Sequence, residues 1–369
     1  MRHELREMIA LAERMIASGV PGTLATLFAA HGSTYRPLGS MMVSLPGMHA
    51  GGVSGGCLEA YVAREGVLAT RRQPAAILSF STAHQTPVGA PVLGCGGSIE
   101  ILVERLTSGH VAWLKELSAA TAADAPSVLQ CLVDSSGGAL DVRRQWLHVA
   151  GRTTTMPHQL EVICRRVLRE AKTCHLPLDA NHHALMHFIR PVTRLVIVGA
   201  GDDARPLCDL GKLLGLDVTV VDRRARLATA ARFPNADRVG AGEWDECLGR
   251  VHITSRTAVV LMTHSLEDDA CVLALLDAQR PAYVGALGPE HRREWLLEEA
   301  AANGAHLSAS LIAQLRGPVG LDLGDRSPAG IALAVIAEIL ASVNGRDAQP
   351  LGMGVETDTQ ANARRVCQI

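Results

Sequence analysis

Two cysteines lie in loops built largely of glycine, where a thiol is best placed to do covalent chemistry. Cys57 ends the run Gly51-Gly52-Val53-Ser54-Gly55-Gly56-Cys57, and Cys95 lies within Gly94-Cys95-Gly96-Gly97, 38 positions further on. A helix is expected to begin at Cys57, which would put its sulfur beside backbone donors that favour thiolate over thiol. The second cluster implies a backbone held in unusual dihedrals or pressed against another group. Two such cysteines could converge on one pocket as the reactive pair. The competing reading makes each a small residue that fits a tight turn. Glu59 and Glu100 flank the two loops and would position a ligand or move a proton, unless they are ordinary surface carboxylates.

A second constellation starts at the apolar run Leu195-Val196-Ile197-Val198, followed by Gly199-Ala200-Gly201-Asp202-Asp203-Ala204 and a helical pattern through Leu207, Leu210, Leu213 and Leu214. This fits G-x-G-x-x-A, and a second apolar strand, Val218 to Val221, ends in Asp222, 21 positions after Gly201. About 20 is the usual step to the acid that meets a ribose hydroxyl, so a Rossmann domain is predicted, with phosphate expected at Gly199 to Gly201 and ribose at Asp222. Asp202 and Asp203 would repel an anion there unless they point away, so a scaffold without a dinucleotide stays open. Arg223 and Arg224 would screen Asp222, meet a phosphate, or simply be solvated.

The histidines offer less. His182, His183 and His187 would place two rings one helical turn apart as a metal pair, but no third ligand is evident and an exposed linker is the expected setting. His31 and His264 each follow an expected strand, where site residues of α/β proteins sit, or are plain loop residues. The nine cysteines include no CxxC pair, which argues against a disulfide framework and a structural zinc site.

The elements that must carry these groups follow from periodicity. Leu5, Met8, Ile9, Ala12, Met15 and Ile16 recur at helical steps. Strands are expected at Thr23 to Phe28, Met41 to Leu45, Ala76 to Phe80 and Ile99 to Leu106, with a helix from Leu58 to Arg72. From 108 to 190 the pattern is weaker, with helices near Val111 to Ala122 and His158 to Lys172 and strands near Val128 to Val133 and Trp146 to Val149. Beyond Pro191 strands and helices alternate to about Val343, the last helix opening with Ser327 and Pro328. The expected fold is α/β: a C-terminal Rossmann-like parallel-sheet domain over 191–344 and a smaller N-terminal α+β domain over 1–107. Residues 108–190 connect them, and 345–369 form a tail.

With 35 basic and 37 acidic residues and 48% hydrophobic ones, the chain is expected to be globular and cytoplasmic, with no general attraction to nucleic acid or membrane. No apolar run approaches the ~18 residues of a membrane span.

Taken together, these segments resemble the XdhC/CoxI accessory proteins of xanthine dehydrogenase and related molybdenum hydroxylases. The matching stretches are Gly32-Ser33-Thr34-Tyr35-Arg36-Pro37-Leu38-Gly39, Val53 to Glu59, Leu93 to Glu100, Val198 to Gly201, Val220 to Arg223, Met262-Thr263-His264, Gly285 to Gly288, and Gly317-Pro318-Val319-Gly320-Leu321-Asp322-Leu323-Gly324. The resemblance implies a non-catalytic chaperone that binds the molybdenum cofactor, as molybdopterin or its dinucleotide form. It would protect the cofactor while a cysteine desulfurase exchanges an oxo ligand for sulfur, then deliver it to the apo-hydroxylase. The first domain is then the better candidate for the metal end: Ser54, Gly55, Gly56, Gly96 and Gly97 would meet pterin and phosphate oxygens, and Cys57 and Cys95 would act on molybdenum or sulfur. A homodimer is compatible with this. In one departure, the family commonly carries a histidine after Gly-Ala-Gly, where this chain has Asp202. The competing hypotheses are an NAD(P)-dependent oxidoreductase, for which Asp222 would favour NAD, and a redox-sensing scaffold.

Overall fold

The first helix takes its place from its apolar stripe. α1 (Arg2–Ser18) buries Leu5, Met8, Leu11, Ala12 and Met15, whereas Ile16 is 40% exposed. The structure is a computed structural model in which residues 2–81 and 97–350 are described. They divide at Pro191 into two compact units, the second being Val192–Pro350.

In the first unit β1 (Thr23–His31), β2 (Met41–Leu45), β3 (Met48–Gly51), β4 (Ala75–Ser81) and β5 (Ser98–Arg105) form an antiparallel sheet in the order β3-β2-β1-β5-β4. Alternation of side chains gives the sheet two buried faces. Ala25, Leu27, Met42, Ile101 and Val103 meet Leu58 and Val62 at α2 (Glu59–Ala69). On the other face Leu24, Met41 and Val43 pack on α1 and α3 (Ser108–Ala122).

Residues 127–189 build a second antiparallel sheet. Its strands are β6 (Ser127–Asp134), β7 (Asp141–Val149), β8 (Arg152–Thr153), β9 (Cys174–Pro177) and β10 (His182–Ile189), in the order β8-β7-β6-β10-β9. Cys131, Val133 and Leu185 face Phe28, Ala29, Ala75 and Leu102 of the first sheet. The outer face is covered by Cys164 and Val167 of α4 (His158–Glu170). The expectation of a linker at His182, His183 and His187 is therefore corrected: all three lie on β10, paired with Asp134, Val133 and Leu129 of β6. Both faces of β10 are covered, so its signature is a continuous apolar run, which the histidines cut to Ala184, Leu185 and Met186 and then Phe188 and Ile189.

The second unit is a six-stranded parallel sheet of β11 (Arg194–Val198), β12 (Asp217–Asp222), β13 (Arg238–Ala241), β14 (Thr257–Leu261), β15 (Tyr283–Ala286) and β16 (Leu315–Arg316). Its order, β13-β12-β11-β14-β15-β16, is the 3-2-1-4-5-6 of a doubly wound Rossmann domain. One face carries α5 (Ala204–Leu213) and α10 (Pro328–Val343). The other carries α6 (Trp244–Gly249), α7 (Leu266–Leu276), α8 (Arg292–Ala302) and α9 (Ala309–Gln314). Covered on both sides, the central strands carry continuous apolar runs, Leu195 to Val198 in β11 and Ala258 to Leu261 in β14, as parallel strands do. Ser327 caps α10 by accepting the Gly330 N–H at 3.1 Å, with Pro328 in the first turn. Among the described residues no helix is long and apolar enough to cross a membrane.

Candidate functional site

The Cys57 loop is organised by one carboxylate and one hydroxyl. Oε1 of Glu59 accepts the Val53 N–H at 3.2 Å and the Ser54 N–H at 2.8 Å, while Oε2 accepts the Ser54 hydroxyl at 2.5 Å and the Leu58 N–H at 3.2 Å. The Ser54 hydroxyl also accepts the N–H groups of Gly56 at 3.3 Å and Leu58 at 3.1 Å, and the Cys57 thiol lies 3.6 Å from it. Burial alone would raise the Glu59 pKa, but the hydrogen bonds from Ser54 and from the loop N–H groups outweigh it and hold the carboxyl below its ordinary range. Ser54, Leu58 and Glu59 are buried, whereas Gly55, Gly56 and Cys57 are exposed. The loop thus turns its small and reactive residues outward on a polar foundation. Ser54, expected to contact a ligand, spends its hydroxyl inside the loop. The helix starts at Glu59, two residues after Cys57.

The 32–39 loop packs on both of its glycine-rich neighbours. A Cβ at Gly55 would meet the Tyr35 ring at 3.1 Å, and one at Gly52 would meet Arg36 at 3.4 Å. Arg36 is tied to Glu4 of α1 at 2.8 Å. On the other side a Cβ at Gly97 would lie 2.6 Å from the Ser33 carbonyl oxygen and 2.7 Å from that of His31. Gly97 is therefore glycine because backbone presses on it. Cys95 and Gly96 lie outside the described residues, so of the two expected thiols only Cys57 has a described setting.

Behind these loops lies a histidine group that periodicity did not reveal. His175 and His183 stack with centroids 5.4 Å apart, and His175 meets Phe28 edge-on at 5.2 Å. Nε2 of His175 and Nδ1 of His183 are buried without a hydrogen-bond partner among the described residues. Burial lowers the His175 pKa, with His183 and His31 adding to the effect and Glu100 opposing it. His187 is pushed down to about 4 by burial alone. Among the described residues no group of three or more His, Cys, Asp or Glu side chains is arranged to hold a metal ion.

In the second unit the glycine loop closes on itself. Oδ2 of Asp222 accepts the Ala200 N–H at 2.7 Å, and Arg224 grips the same carboxylate through Nε at 2.9 Å and Nη2 at 2.8 Å, its own N–H adding a bond at 2.8 Å. The carboxylate offered by the sequence to a ribose is thus committed to the loop. Burial would raise its pKa, but Arg224 and the Ala200 N–H hold it below the usual range. Gly199 has φ +109° and a Cβ there would strike the Met262 carbonyl oxygen at 2.6 Å, so strand crowding alone requires this glycine. Gly201 is open, the nearest contact of a Cβ being His264 Nε2 at 3.8 Å. Asp202 is 84% exposed and paired with Arg232 at 2.9 Å. His264 thus reaches the loop at the point where strand order reverses between β11 and β14.

Two further networks hold the loops after β14, β15 and β16. Asp269 accepts the Thr263 hydroxyl and Arg292 Nη2, each at 2.6 Å. Glu338 Oε2 accepts the Tyr283 hydroxyl at 2.6 Å and the Gly320 N–H at 2.7 Å, anchoring the 317–324 segment. Asp269, Arg292 and Glu338 gave no signal in the sequence because their partners come from other elements: Arg292 reaches Asp269 from 23 positions away and Glu338 meets Tyr283 from 55.

Comparison with known proteins agrees with this architecture. The model of the XdhC Rossmann domain matches residues 195–339, and that of the XdhC and CoxI family matches residues 15–81. A relative in Bacillus subtilis (strain 168), named as a probable subunit of xanthine dehydrogenase, is 27% identical over 322 residues, covering 86% of this chain and 92% of the relative. The molybdenum cofactor insertion chaperone PaoD of Escherichia coli (strain K12) is 26% identical over 341 residues, covering 90% of this chain and 87% of PaoD. A Bacillus halodurans crystal structure described as a xanthine dehydrogenase shares the fold, with a TM-score of 0.70 over 92% of this chain and 96% of that one at 24% identity. A glycine-framed Cys57 loop in the first unit and a doubly wound sheet in the second, each matched by one of these models, make the chain a member of the XdhC and CoxI family.

Proposed function

We propose that the chain is an accessory protein that takes the molybdenum cofactor as cargo and inserts it into a xanthine dehydrogenase-type hydroxylase. The carrying observation is the Gly55-Gly56-Cys57 surface, exposed on a loop that Glu59 and Ser54 hold rigid. A soft sulfur ligand suits molybdenum and sulfur, and glycines leave room for a bulky pterin to approach the backbone. The names of the relatives point the same way. In this reading Cys57 contacts the metal end of the cargo, and Cys95 is second in importance. A cysteine desulfurase supplies the sulfur, and the sulfurated cofactor passes to the client enzyme. Gly199, Gly201 and His264 offer a second surface for the cargo. A resident NAD(P) fits less well, because its ribose would have to displace Arg224 from Asp222.

The test is transfer of sulfurated cofactor to a purified apo-hydroxylase, followed as regained hydroxylase activity. Cys57→Ser, nearly equal in size, is expected to keep its melting temperature and lose most of the transfer. A normally folded variant with full transfer would refute the role of the thiol. Molybdenum and pterin assays on protein from a molybdenum-replete host test the cargo itself.

A further inference from the structure

The base end of the Rossmann unit carries a cavity whose chemistry differs from that of an adenine pocket. It has a volume of about 210 Å³ and lies among residues that follow β12 and β13 and along one side of α7, from Glu267 to Leu275. In a doubly wound sheet of this strand order, that is the side on which the base of a nucleotide lies when its phosphate meets the glycine loop. An adenine pocket is mostly apolar. Here Arg223 is bound by Asp268 at 3.0 Å and Glu243 at 3.0 Å, and the Trp244 indole N–H donates to Asp268 at 2.9 Å. Asp245 and Glu267 add two more carboxylates to the lining, in which Arg223 supplies the positive charge.

The hydrogen-bonding capacity of this lining is lopsided. Asp268 uses Oδ1 for both Arg223 and Trp244, which leaves Oδ2 for a ligand. Glu267 is exposed, and its carboxylate bonds to no group among the described residues. Ionised carboxylates only accept hydrogen bonds. Adenine would bring one amino donor flanked by ring nitrogens with lone pairs, which carboxylates repel. Guanine and pterin share an edge with a ring N–H next to an exocyclic amino group, two adjacent donors that one carboxylate can accept together. The neighbouring carbonyl of that edge would face Arg223. Leu275 and Cys271 complete the lining with less polar surface for the ring. The net negative lining also disfavours a 2′-phosphate.

We propose that this cavity binds the 2-amino-4-oxopyrimidine edge of a guanine or pterin ring and selects against adenine. The inference rests on the cofactor-binding reading above and extends it, since both sources belong to the chemistry of a pterin cofactor or its nucleotide form.

Calorimetric titration of the full-length protein with GMP, a 6-hydroxymethylpterin and AMP tests it. GMP or the pterin is expected to bind at least tenfold more tightly than AMP, and the arm that binds names the source. Glu267→Gln, a surface change that keeps every described hydrogen bond, should weaken that ligand about tenfold and leave AMP unchanged. Asp268→Asn is a second variant, followed with a thermal melt because Asp268 also holds Trp244. AMP binding as tight as GMP and pterin, no binding of any of them, or an unchanged preference in Glu267→Gln overturns the proposal. Molybdenum content measured on the same preparations separates the two readings: metal without the preference sinks only this inference, and the preference without metal sinks only the cargo.

Discussion

The imidazole of His187 fills the space that a Cβ at Gly39 would occupy, with Nε2 2.6 Å from that position. A strand of the second sheet therefore sets the return of the 32–39 loop, whose other side touches the cysteine loop through Tyr35 and Arg36. Gly39 also has φ +84°, where a side chain is strained. Gly39→Ala is expected to destabilise the first unit by about 2 kcal/mol or more, from strain plus the clash. Pairing it with His187→Ala should recover the clash but not the strain. Denaturant unfolding of both singles and the double measures this, and strict additivity of the two costs would disprove the contact.

The same residue predicts an acid response. His187 is buried and pushed down to about 4, against an ordinary 6.5. The native state keeps it neutral while the unfolded chain protonates below 6.5, so unfolding binds the extra proton. Its contribution is intact above pH 6.5 and is lost as pH falls from there toward 4, reaching about 3 kcal/mol at most. His187→Gln should flatten the stability profile over that window relative to the parent. Parallel profiles between pH 7 and 4 would show that His187 does not drive the loss.

Much of the fold was legible because its elements have clean periods. Leu195 to Val198 and Val218 to Val221 are apolar runs of parallel strands, and Thr23 to Phe28 and Met41 to Leu45 were readable as strands. β10 was not, since His182, His183 and His187 interrupt the apolar run of a strand covered on both faces. For the site, the glycines marked the loops correctly but not their reasons: Gly97 and Gly199 answer to backbone crowding, and Gly39 to a histidine 148 positions away. Asp222 had the spacing of a ribose ligand, and of the roles open to Arg223 and Arg224 the structure gives Arg224 the screening one, its guanidinium gripping both carboxylate oxygens.

Glu59→Gln should loosen the cysteine loop with little change of volume. A carboxylate accepts at both oxygens, whereas the amide must turn its NH2 toward either the Val53 and Ser54 N–H groups or the Ser54 hydroxyl and Leu58 N–H. At least one buried donor then faces a donor, a cost of about 1–3 kcal/mol. Cofactor retention should fall with it, and Glu59→Asp should restore neither, its carboxylate being one methylene short. Wild-type melting temperature and wild-type molybdenum content in Glu59→Gln would show that the loop does not depend on this carboxylate.

Arg292→Met tests whether the loops after β14 and β15 are held by charge. Asp269 is fully buried, its pKa raised by burial despite the Thr263 hydroxyl and Arg292. Removing the arginine leaves a buried carboxylate with only Thr263, which costs about 3–5 kcal/mol when the partner of a buried pair is lost. Methionine keeps most of the stem that packs against Gly288, where a Cβ would meet Arg292 Cγ at 2.7 Å, so the loss reports mainly on the charge. Without Arg292 the folded-state pKa of Asp269 rises further above its unfolded value, and the native state then binds the proton first. The penalty should therefore be largest at neutral pH and shrink as pH falls through that raised value and Asp269 takes up its proton in the folded variant. Urea unfolding of parent and variant at pH 7 and pH 5 measures both gaps. An equal gap at the two values would mean that the loss comes from packing around Gly288 and not from the stranded carboxylate.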